Sequence, residues 1–92
     1  MTTTTGPTDL LQERIRRTSA PLLATRIRQA RKEHGSHDAL ATAVESSRQH
    51  LIKLEKGLHR PRAGMLLKIA EATGHDVDWF LDESADPFRR AA

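Results

Sequence analysis

The chain has no cysteine among its 92 residues. No disulfide framework, thiolate nucleophile or cysteine-held zinc can form. Its apolar runs stop at two or three residues, and a membrane-spanning helix needs about 20. The first residues carry neither the charged start nor the apolar stretch of a secretory signal, so the expected compartment is the cytoplasm. No segment alternates with the period of a strand, and there is no internal repeat and no glycine-rich phosphate loop. A chain of this length makes one domain and buries about 60–65% of the surface its unfolded form exposes. That leaves little room for an enzyme cleft of several hundred cubic ångströms, so neither catalysis nor a cofactor is expected.

What is present is charge, unevenly spread. The net charge is only +3 with the histidines neutral. Residues 46–70 hold Arg48, Lys53, Lys56, Arg60, Arg62 and Lys68 against one acid, Glu55. Residues 71–92 hold Glu71, Asp76, Asp78, Asp82, Glu83 and Asp86 against Arg89 and Arg90. A basic middle beside an acidic end suits a polyanion on one face and another contact elsewhere. An ordinary solvated charge mix is the plain alternative.

Periodicity and caps predict helices throughout. Residues 1–7 have nothing to bury and are expected to be disordered. Thr8 or Asp9 can cap a helix to about Thr18, with Leu10, Leu11 and Ile15 on one side. A second helix runs from about Pro21 to His34, with Leu23, Ile27 and Ala30 as its apolar stripe. Gly35 ends it. Ser36 caps a short helix to about Val44 whose buried face is Ala39, Leu40, Ala43 and Val44. Ser47 caps another to about Lys56, with Leu51 and Leu54 inward and Gly57 as the residue that stops it. Pro61 marks a loop. A helix from about Ala63 to Thr73 turns Leu66, Leu67, Ile69 and Ala70 inward, and a short one follows over 77–82. The fold class is all-α, a compact bundle with short connections. Residues 1–20 form a flexible start plus an extra helix, 21–83 the main domain, and 84–92 a loose tail.

The stretch 39–57 carries the most information. It reads as two short helices around a tight corner, the second opening with Arg48, Gln49 and His50. Long polar side chains in front and apolar ones behind suit the major groove of DNA.

In order along the chain stand Leu40-Ala41, Val44, Ser47-Arg48, Leu51, Leu54-Glu55-Lys56-Gly57, Pro61, Leu66-Leu67, Ile69-Ala70 and Gly74. With these, residues 23–81 resemble the lambda-repressor/Cro-type (XRE-like) helix-turn-helix domain, the family of small phage and bacterial repressors. The resemblance covers about two-thirds of the chain. It implies a five-helix lambda-repressor-like bundle, here with an extra N-terminal helix. Three departures stand out. The corner glycine of the family is Glu45, which needs positive φ or a different turn, at a cost on the order of 1 kcal/mol. The aliphatic that follows is Ser46. Gly35-Ser36 is one residue shorter than the usual link.

The resemblance implies that Arg48, Gln49, His50 and Lys53 face the bases. Arg48 can fork onto guanine O6 and N7, and Gln49 can bond adenine N6 and N7. His50 could reach a base or a phosphate. Ser47 should cap the reading helix and bring its N-terminus to the groove or a phosphate. His37 stands where the family often has a phosphate-holding Gln. Lys56, His59, Arg60 and Arg62 surround the following loop, where backbone contacts are common. The family often pairs Glu55 with an arginine of the first helix, and Arg31 matches. Trp79 is the candidate dimer contact, with the N-terminal helix as its competitor. That helix, with Arg14, Arg16 and Arg17, could be a DNA arm, a membrane-surface stripe, or a segment packed on the domain or a second subunit. His34 and His37 have no third ligand nearby, and no metal site is expected.

The implied function is a sequence-specific DNA-binding regulator, a phage-type Cro or immunity repressor binding a palindromic operator as a homodimer. Its partner is double-stranded DNA, in bacterial cytoplasm or that of a phage host, with no membrane. The rival is an antitoxin whose residues 1–20 and 84–92 clamp a toxin. A third class is a protein-interaction module that kept the fold without DNA binding.

Overall fold

The computed structural model describes residues 7–81, and these form six helices and no strand. They are α1 (Pro7–Arg17), α2 (Ala20–His34), α3 (His37–Ala43), α4 (Arg48–Glu55), α5 (Ala63–Thr73) and α6 (Val77–Leu81). Pro7, expected to be disordered, instead opens α1; the expectations for residues 1–6 and for the tail at 84–92 lie outside the described residues.

Serine caps begin α2, α3 and α4. Ser19, Ser36 and Ser47 accept hydrogen bonds from the N–H groups of Leu22, Ala39 and His50 at 3.4, 3.1 and 3.1 Å. Each oxygen satisfies one of the donors that a helix leaves open at its start. Pro21 sits within the first turn of α2, where its missing N–H is no loss.

Two helices end alike. At the end of α4 the Gly57 N–H bonds the Leu54 carbonyl and the Leu58 N–H bonds the Lys53 carbonyl. Gly57 has φ +77, and an added Cβ would stand 3.8 Å from Ala24 Cβ. The end of α3 repeats this pattern, with Glu45 N–H on Thr42 and Ser46 N–H on Ala41. This double closure needs a left-handed residue. At the second site that residue is Glu45, φ +57, the only positive-φ non-glycine among the described residues. The corner is thus the family-like turn made with a strained residue.

One core joins all six helices. It includes Leu11, Ile15, Leu23, Ile27, Leu40, Val44, Leu51, Leu54, Leu66, Ile69 and Phe80. α2 packs against α4, α5 and α6, α3 against α4 and α5, and α1 against α5. The N-terminal helix therefore packs on the domain. Its basic face is tied down locally: Glu13 pairs with Arg16 and Arg17, and the Arg16 hydrogen bond holds the Glu13 carboxyl below its ordinary pKa.

Four apolar assignments change. Leu10 and Leu67 are 58% and 45% exposed, although the periodicity places both inside. Each adjoins a better-placed leucine, Leu11 or Leu66, and a helix turns neighbours about 100° apart. Ala39 and Ala43 are exposed, whereas Ala41 is buried beside Leu40 and Val44. In a helix of only two turns, the pairs 39/43 and 40/44 both fit the period. The larger pair takes the core because it removes more apolar area from water.

Candidate nucleic-acid interface

Leu51 and Leu54 are 0% and 1% exposed and fix which side of α4 faces in. Arg48, Gln49 and Lys53 are consequently exposed, with no side-chain hydrogen bond or ion pair among the described residues. Lys53 is four residues after Gln49 and shares its face. His50 is half-buried, its ring 6.5 Å from that of His59 in the loop after α4. Ser47 caps the helix, so its hydroxyl is engaged in the cap. The start of α4 thus projects a guanidinium, an amide and an ammonium into solvent from a backbone that the core holds rigid.

Glu55, at the end of the same helix, would oppose a polyanion if its charge stood free. It does not. Arg31 forks onto it, Nε to Oε2 at 3.1 Å and Nη2 to Oε1 at 3.0 Å. The side chains are 14% and 6% exposed, so the pair is shielded from solvent. His37 is a second partner, its Nε2 lying 3.1 Å from Glu55 Oε2. That contact engages Nε2 and leaves Nδ1 for an outside partner. One carboxylate therefore ties α2, α3 and α4 together.

Beside this junction runs an open groove of about 380 Å³, lined by Arg28, Arg31, His37, Ile52, Glu55 and Lys56. Arg28 is a candidate that sequence reasoning passes over. Its only signal is its place three residues before Arg31, on one face of α2.

The loop after α4 divides its charges. Lys56, His59 and Arg62 are exposed. Arg60 is exposed as well, but one of its nitrogens is already engaged. Its Nη1 donates to the Ile15 carbonyl at 2.8 Å and to the Thr18 carbonyl. The guanidinium completes the C-terminal end of α1, where carbonyls lack helical partners and favour a cation. The distance in sequence hides this use.

The corner is braced from α5, with Lys68 Nζ 3.1 Å from Glu45 Oε1. Both side chains are mostly exposed, so the pair contributes little. Glu45→Gly is expected to raise stability by roughly 0.5–1 kcal/mol, the left-handed strain outweighing the lost pair and the glycine's entropy. Urea melts would show it, and a lower midpoint would mean that the Lys68 contact dominates.

Trp79, at the far end, is half-buried and already engaged. Its ring stacks on His75 at 3.9 Å and 11°, and Arg26 Cζ lies 5.6 Å from its centroid. Its carbonyl accepts from Arg26 Nη1. Arg26 is 0% exposed, and no sequence pattern marks it for the interior.

The corner, the capped second helix with free polar side chains, and the shielded Glu55 occur together on one surface. A family model of the helix-turn-helix, of the Cro/C1 (XRE-like) type, matches residues 27–80. The chain belongs to this family. It is a DNA-binding transcription regulator of that type. The matched span takes in α3 and α4, and α1 lies outside it. No curated protein and no solved structure matches the chain. No helix among the described residues is long and apolar enough to cross a membrane.

Proposed function

We propose that this regulator is a phage-type repressor, of the Cro or immunity class, that occupies a palindromic operator as a homodimer. The observation that carries the reading is the start of α4, where Arg48, Gln49 and Lys53 stand exposed on a capped, core-anchored helix. Arg48 takes a guanine through O6 and N7, and Gln49 takes an adenine through N6 and N7. Lys53 reads one turn further on. His50 joins them from beside His59. The N-terminus of α4 at Ser47, together with His37, Lys56, His59, Arg62 and Arg28, meets the phosphates and sets the register.

One such helix reads only a few base pairs. A two-fold dimer on half-sites about 34 Å apart multiplies both affinity and specificity. Trp79 is the proposed contact, through the part of its ring left open by His75 and Arg26. Occupied promoter DNA then excludes polymerase.

Selection of bound sites from random duplexes at two salt concentrations tests the whole reading. It should return a palindrome and a falling affinity as salt rises, because bound cations release counterions. Arg48→Ala is expected to weaken operator binding by about 1–3 kcal/mol and to relax one base position. Arg62→Ala should weaken operator and random DNA alike and make the salt slope shallower by about 1. Equal losses on operator and random DNA for both variants would defeat the base-reading role of Arg48.

A further inference from the structure

α1 lies outside the family's span yet is built into the body at several points. Leu11 and Ile15 enter the common core. Arg14 pairs with Asp78 at 2.6 Å. Two further links converge on the segment between α4 and α5. Gln12 Oε1 accepts the Ala63 N–H at 2.9 Å, at the first residue of α5. Arg60 Nη1 donates to the carbonyls of Ile15 and Thr18 at the end of α1.

These links are reciprocal. A helix leaves its first N–H groups and last carbonyls without partners. The residue before α5, Arg62, makes no side-chain cap bond, and Gln12 of α1 supplies an acceptor to Ala63 instead. α1 in turn receives Arg60 at its open carbonyls. The loop thus completes α1 while α1 completes the helix that follows the loop. Arg62 lies between these anchors, and Lys56 and His59 shortly before them, all exposed. A loop ordered before binding loses less conformational freedom on contact than one ordered by it.

We propose that α1 is a strut that holds the loop at residues 56–62 in the arrangement in which it contacts the DNA backbone. Gln12 and Arg60 are its positioning residues. This rests on the DNA-binding reading above for what the loop touches. The ordering of the loop is separable and is tested without DNA. α1 contributes to affinity on every sequence, not to the choice of sequence.

The test uses the full chain with Gln12→Ala and Gln12→Glu. Gln12 is uncharged, so its loss removes no cation from the interface, and glutamate keeps the acceptor. In the free protein, well below the melting temperature, Gln12→Ala should speed amide exchange at Ala63 and at residues 57–60 by roughly tenfold. The glutamate variant should exchange like the parent. On DNA, Gln12→Ala should bind operator and random duplex roughly three- to tenfold more weakly, with a salt slope shallower by about 1. The glutamate variant serves as the control for exchange in the free protein alone, because its added charge would itself oppose the polyanion. Unchanged exchange would overturn the clamp itself. Faster exchange with unaltered affinity and slope would overturn the coupling to DNA and reduce α1 to a stabilising helix. A parent chain with no salt-dependent binding would overturn the DNA-binding reading instead, and the exchange measurement would still decide whether α1 orders the loop.

Discussion

Glu55→Ala is expected to lower the melting temperature by on the order of 10–30 °C while leaving the preferred operator unchanged. The carboxylate accepts two hydrogen bonds from Arg31 and lies against His37, so its removal strands a guanidinium in a shielded site. Breaking a buried pair on one side costs about 3–5 kcal/mol. The Arg31 side chain keeps 14% exposure, so a somewhat smaller loss, about 2–4 kcal/mol, is the expectation. That is a large part of a total near 5–14 kcal/mol for a chain this long. Replacing both partners at once, Arg31→Met with Glu55→Leu, should recover much of the loss, because no charge is then left unpaired. Circular dichroism melts and site selection on both variants check this. A melting temperature within a few degrees of the parent, or an altered operator for Glu55→Ala, would overturn the structural assignment.

Phe80→Ala should be as damaging, at about 3–5 kcal/mol, although it lies far from the reading helix. α6 has five residues, too few to hold a helix by local hydrogen bonds. It stays folded because Phe80 and Leu81 enter the core, at 0% and 7% exposure. Phe80 also stands nearly perpendicular to its neighbours' rings, with centroids 5.0 Å from Trp79 and 6.0 Å from His75. Truncation leaves a cavity where α6 meets α2 and frees Trp79 from its place over Arg26. Trp79 is the single tryptophan, so its fluorescence reports on this corner directly. The expected result is a red-shifted emission and a urea midpoint far below the parent's by both fluorescence and circular dichroism. An unchanged circular dichroism midpoint beside a shifted fluorescence would mean that α6 frays alone and is no part of the cooperative core.

Much of the fold is legible in the residues. The serines at 36 and 47 mark helix starts, and Gly57 marks an end, because capping chemistry acts within three or four residues of itself. Leu51 and Leu54 orient α4 by spacing alone, and that spacing leaves Arg48, Gln49 and Lys53 on the outward side. The Arg31–Glu55 pair is legible only through the family resemblance, since nothing local joins residues 24 positions apart. Positive φ at Glu45 follows from the family's missing glycine as one of two possibilities, and the double closure at Ser46 selects it.

Other features depend on how the helices pack. Whether Ala39 or Leu40 faces the core is undecided by a period that both satisfy, until α4 and α5 supply the opposing surface. Arg60 and Arg62 are alike in type and two residues apart. One completes α1 and the other stays open, because the last turn of α1 lies beside only one of them. Arg26 and Arg28 divide in the same way, one buried under α6 and one on the groove. Local chemistry along the chain specifies where helices start, stop and turn their apolar sides. The partner of a long charged side chain is set by helix crossings, and these emerge only when the whole core closes.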